Sequence, residues 1–91
     1  MNTIIMKVVK QDETIKVDSQ KAEGGKIDLC RIQLQEFGNQ YEDTFIATML
    51  GKTAICRFMP GQLVAVKLRF QAREHNGQMY QDVTVVEIGK L

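Results

Sequence analysis

The stretch around Asn76-Gly77 matches itself when counted outward in both directions. An Asn-Gly pair is the strongest short-range hairpin signal, because both central residues of a type I′ turn need positive φ. Counted from that turn, Phe70 falls opposite Val83, Leu68 opposite Val85, Arg73 opposite Tyr80, Gln71 opposite Asp82, and Arg69 opposite Thr84. Apolar meets apolar and polar meets polar. Side chains alternate between faces along a strand, so a slip of one residue would break all of these matches together. The expectation is a two-faced hairpin. Val64, Val66, Leu68, Phe70, Val83 and Val85 face a core, and Lys67, Arg69, Gln71, Arg73, Tyr80 and Thr84 face outward. That outward face is where function is expected.

The rest of the chain reads the same way, with alternating stretches, turn residues between them and no sustained 3.6-residue apolar period. A first strand is expected from about Thr3 to Val17, with Ile4, Met6 and Val8 on one face and a bend or bulge at Gln11 to Glu13. Ser19 to Lys26, containing Gly24-Gly25, makes a loop. In the second strand Cys30, Ile32 and Leu34 alternate with Arg31, Gln33 and Gln35, and Gly38-Asn39 supplies the next turn. The third covers roughly Thr44 to Leu50, with Phe45, Ala47 and Met49 on one face and an unusually apolar outer face in Ile46 and Leu50. Between Gly51 and Gln62 the pattern breaks. A single helical turn is expected over Thr53 to Phe58, before Pro60-Gly61 leads into the hairpin. Five strands with one short helical turn between the third and fourth, all β otherwise, point to a small closed or nearly closed barrel. Closure also removes exposed strand edges.

Length and composition set limits. The 91 residues make one domain spanning 1–91, and a chain of that size buries about 60–65% of its unfolded surface, enough for one small core. No apolar run approaches the ~20 residues of a membrane helix, so no membrane partner is expected. Met1 to Val9 is too short for a signal-peptide core and lacks a small-residue cleavage site, so a cytoplasmic location is expected. A net charge of +1 does not by itself imply nucleic acid, and any attraction to phosphate must come from local clustering.

Catalytic chemistry has little to build on. Cys30, Cys56 and His75 are too few for a four-ligand zinc site or a disulfide framework, and both cysteines are read as small buried side chains. Gly51-Lys52-Thr53 looks like the end of a phosphate-binding loop, but the earlier glycine that motif requires is Ile46, and no long helix is expected after it. Ser19 and His75 are the only residues of their kinds. No carboxylate pair has a spacing that implies acid/base work. The reading is a non-enzyme without cofactor or metal.

Two segments carry a family likeness. Arg73-Glu74-His75-Asn76-Gly77-Gln78-Met79-Tyr80-Gln81-Asp82-Val83 is similar to a hairpin reading Arg-Glu-aromatic-Asn-Gly-x-aromatic-aromatic, then a polar pair and an aliphatic residue. Pro60-Gly61-Gln62-Leu63-Val64-Ala65-Val66 looks like the same family's glycine turn into its fourth strand. With the order of elements, nearly the whole chain resembles bacterial single-stranded-DNA-binding proteins of the OB-fold type, most closely small bacterial OB-fold domains similar to them. Leu50 stands where that family often has tryptophan, His75 and Met79 where it often has aromatics, and Met6 where it often has a strand-bending glycine. Stacking on an aromatic contributes on the order of 1–3 kcal/mol per base, so these replacements reduce three platforms.

The resemblance implies non-catalytic, sequence-tolerant binding of single-stranded DNA, with RNA as an open alternative, by a homo-oligomer. Ligands of such barrels lie across strands two and three and the loops beside them. Projected here, that surface holds Arg31, Gln33, Gln35, Thr44, Ile46, Thr48 and Leu50, flanked by Lys21, Lys26, Arg73, His75 and Tyr80. Arg31, Lys67, Arg69 and Arg73 are assigned to phosphates, and Tyr80, His75 and Met79 to bases. The same cations equally suit the solvated outer face of a hairpin. A competing class is a protein-interaction or oligomerisation module, since Ile46, Leu50 and Met79 would form an apolar strip that monomers seldom leave open.

Overall fold

The computed structural model describes residues 3–20, 23–37 and 43–91. The protein is all β: β1 (Ile4–Gln11), β2 (Ile15–Asp18), β3 (Lys26–Glu36), β4 (Thr44–Leu50), β5 (Leu63–His75) and β6 (Gln78–Lys90). They form one mixed sheet in the order β1-β5-β6-β4-β3-β2, and a further β1–β3 pairing bends it into a nearly closed ring of five strands. β2 lies outside that ring, paired only with the first half of β3. The seam is between β4 and β6, which run parallel and share one bridge, Thr48 to Thr84.

The hairpin forms in the register that its symmetry predicts, with all five expected pairs present. Asn76 at φ 52° and Gly77 at φ 77° give the two positive dihedrals that a type I′ turn demands. Pro60-Gly61 also turns as read: Gln62 N–H donates to the Met59 carbonyl, and Gly61 takes φ 86° in the third position of a type II pattern. The turn expected at Gly38-Asn39 lies outside the described residues.

Alternation places the core. Met6 and Val8, Cys30, Ile32 and Leu34, Ala47 and Met49, Val64, Val66 and Leu68, and Val85 all point inward and are buried. Ala54 and Phe58, from the β4–β5 connection, complete this cluster. Ile4 lies at its rim, partly exposed.

Several expectations are corrected. The long first strand is two strands, because the chain breaks at Asp12–Thr14, so the sheet has six members and not five. The bend expected at Gln11 to Glu13 is this break, and the bulge is a separate feature at Val9, where the β1–β3 register shifts. A one-residue insertion reverses which face the following residues occupy. Lys10, due to point inward after Met6 and Val8, instead stands opposite outward Gln33, and Gln11 takes the inward place opposite Ile32. The helical turn is a 3₁₀ turn over Gly51–Thr53, which begins directly at the end of β4 and not at Thr53. Cys30 is buried as read, but Cys56 is exposed on the β4–β5 connection. Phe70 does not join the core, since it is 49% exposed where the hairpin extends past the ring.

Candidate nucleic-acid interface

β3 and β4 pair so that Arg31 faces Thr48, Gln33 faces Ile46 and Leu29 faces Leu50. Directly paired residues share a face, and the Thr48–Thr84 and Arg69–Thr84 pairs carry the level of Arg31 onward. A single lateral row, Arg31–Thr48–Thr84–Arg69, therefore crosses four strands on the outer surface. Two cations end it and two half-buried hydroxyl side chains fill its middle. Neither Arg31 nor Arg69 has an ion pair among the described residues.

Apolar side chains flank this row. On one side Ile46 is 61% exposed beside Gln33, and on the other Leu50 and Leu29 adjoin, with Ile15 of β2 opposite Leu29. Two open grooves follow these boundaries. One, of about 250 Å³, is lined by Lys10, Asp12, Arg31, Ile32, Gln33 and Ile46. The other, of about 580 Å³, is lined by Lys10 to Glu13, Ile15, Leu29 and Arg31. Lys10, Asp12 and Arg31 border both. Asp12 and Glu13 add negative charge to the groove lining, so the positive potential of the surface is local.

The grooves keep their shape because the β1–β2 bend is tied down. Gln11 Nε2 donates to the Cys56 carbonyl at 2.7 Å, and Gln11 Oε1 accepts from Phe58 N–H at 2.9 Å. Arg57 Nη1 donates to the Asp12 carbonyl at 2.9 Å, and Thr14 Oγ1 to the Ala54 carbonyl at 2.8 Å. Cys30 Sγ, beneath the bend, donates to the Asp12 carbonyl at 3.0 Å. Cys30 and Arg57 thus serve as fasteners of a loop.

The distal hairpin is a different environment. Every residue from Arg69 to Gln81 is exposed. Arg69, Gln71, Arg73 and His75 share one face with Gln78, Tyr80, Asp82 and Thr84, and Met79 lies on the other with Phe70 and Ala72. His75 and Tyr80 therefore share a face, and Met79, assigned with them to bases, is on the opposite one. Arg73 Nε donates to Asp82 Oδ2 at 2.7 Å, and its Cζ lies 4.9 Å from the Tyr80 ring centroid. Lys67, half-buried, stands opposite Glu87. The expected stripe of four cations thus resolves into Arg31 and Arg69 on one row, Arg73 paired with Asp82, and Lys67 facing an acid.

Among the flanking cations, Lys26 pairs with Asp18 at 2.9 Å, and Lys21 lies outside the described residues. Gln33 donates to Thr44 Oγ1 at 3.4 Å. Thr84, read as outward from the sequence, belongs to this surface, and so do Lys10, Leu29 and Ile15, which the sequence did not single out. Extending the β3 alternation back by two residues would have found Leu29. Lys10 depends on the Val9 bulge. Neither a protein-family model nor a curated protein matches the chain.

Proposed function

We propose that the chain is an OB-fold domain that binds single-stranded DNA without catalysis and with little regard to sequence. The order of strand pairing supports the fold: β1 with β2 acts as one bent strand against β3, then β3–β4, the parallel β4–β6 seam, β6–β5 and β5–β1 close the circuit. The observation that carries the function is the Arg31–Thr48–Thr84–Arg69 row. It offers cations at its ends, and beside its Arg31 end two grooves present the apolar side chains of Ile46 and of Ile15 and Leu29 to unstacked bases, the combination a single strand needs. Lys10 joins these cations from the groove side. A rigid duplex keeps its bases stacked inside and cannot use the exposed Ile46, Leu50 and Ile15 side chains, so it binds less well.

Three phosphate contacts, by Lys10, Arg31 and Arg69, give a log–log salt slope near −2 at about 0.7 each, so a fourfold rise in salt weakens binding about 20-fold. Fluorescence anisotropy with labelled oligo(dT) and a matched duplex, each at low and moderate salt, tests this alongside a measurement of solution mass. Single-strand binding with that slope and a weaker duplex is the expected result. No oligo(dT) binding at low salt sinks the reading.

A second reading, a protein-interaction or oligomerisation module, draws on the other face of the distal hairpin. There Phe70 is half exposed and Met79 is 85% exposed, with Glu74 and Gln81 on the same face, so the apolar surface a second copy would cover is confined to these two side chains and is separate from Ile46 and Leu50. A stable oligomer with no single-strand binding favours it. An oligomer that binds is consistent with both, because linked copies multiply weak contacts through effective concentration.

A further inference from the structure

We infer that Arg73 acts as a stacking platform for an unpaired nucleobase and not as a phosphate contact, a role that rests on the proposed single-strand binding. Its charge is already met. Nε is held at 2.7 Å by Asp82 Oδ2, and the strand register fixes Asp82 on the same face of the hairpin. A phosphate arriving at this guanidinium would have to share it with a carboxylate already 2.7 Å from Nε.

Its orientation is also set. Tyr80 lies directly opposite Arg73, with the ring centroid 4.9 Å from Cζ, and Tyr80 is anchored in turn by its hydroxyl donating to Gln78 Oε1 at 2.6 Å. Gln78, Tyr80, Arg73 and Asp82 form a chain of contacts within one hairpin face. The Arg73 side chain nevertheless remains 56% exposed, so it offers surface beyond what Tyr80 and Asp82 cover. A planar, weakly hydrated cation backed by an aromatic ring suits a base π-face. The site also continues the face that carries Arg69, four residues earlier on β5 or about 13 Å along the strand. A strand whose phosphate meets Arg69 can lay a nearby base on Arg73.

The test compares labelled oligo(dT) with an abasic strand of equal length on the intact protein. Arg73→Ala is expected to weaken oligo(dT) binding about tenfold, the scale of one lost base stack, with the salt slope unchanged and abasic binding unaltered. Arg73→Lys keeps the charge but not the plane, and is expected to lose as much. Arg69→Ala, run in parallel, should flatten the slope by about 0.7. If Arg73→Ala flattens the slope equally, or Arg73→Lys binds as tightly as the unmodified protein, the stacking role is overturned while single-strand binding stands. If the unmodified protein does not bind oligo(dT), both fall together.

Discussion

Gln11 shows how one residue's facing decides local stability. Its amide donates to the Cys56 carbonyl and accepts from Phe58 N–H, tying the β1–β2 bend to the connection that brings Phe58 into the core. Leaving a partly buried donor and acceptor unmatched costs about 1–3 kcal/mol. Gln11→Ala should therefore lower the unfolding free energy by that amount, read as a lower urea midpoint at an unchanged slope of the transition. Gln11→Glu should not restore it, because a carboxylate accepts from Phe58 but has no proton to give Cys56. At this scale the sequence was only partly legible. Met6, Val8, Cys30, Ile32 and Leu34 announced their burial by alternation. The facings of Gln11, turned inward, and Lys10, exposed, were not legible, because the Val9 bulge exchanges them and a bulge is visible only once a partner strand supplies the count. Cys56 was misread for a similar reason: a cysteine's general tendency to be buried says nothing about a connection lying over the core with its carbonyl turned toward Gln11.

The hairpin of β5 and β6 is two structures in one element. Val64 to Leu68 is held by the ring, whereas residues 69–81 have both faces in water. A two-stranded ribbon is marginally stable alone, so this arm should open without the barrel unfolding. Amide hydrogen exchange should find residues 70–82 far less protected than 63–68. Gly77→Ala places a side chain at φ 77°, which costs roughly 1 kcal/mol, so exchange in the arm should speed up about fivefold while protection of Val64 and Val66 holds. Equal acceleration across both segments would mean that the element opens as one. Register was legible here because the turn chemistry and the pairing matched over many residues. The reach of the core was not. Alternation assigns Phe70 a face, but whether anything lies against that face depends on where the other strands end.

For the whole molecule, the small net charge makes placement more important than sum. Arg31→Ala and Lys90→Ala each reduce the formal charge from +1 to 0, so both change the long-range field by the same amount. They differ in position. Arg31 ends the lateral row, whereas Lys90 lies six residues along β6 from Thr84, about 20 Å by strand rise. If the row binds phosphate, Arg31→Ala should flatten the salt slope for oligo(dT) by about 0.7, and Lys90→Ala should leave it in place. Arg31 and Arg69 are separated by three strand spacings, roughly 14 Å, beyond the range at which substitutions usually couple. The double variant Arg31→Ala/Arg69→Ala should therefore lose the sum of the two single effects in slope and in binding free energy. Anisotropy titrations of the unmodified protein, the three single variants and the double variant at matched salt series make the comparison. Equal weakening by Lys90→Ala would show that attraction depends on overall charge, and would remove the row from the interface. The sequence could nominate Arg31 and Arg69 separately, since each falls on an outward phase of its own strand. Their alignment required the parallel β4–β6 bridge, a pairing between segments more than thirty residues apart that no local pattern encodes.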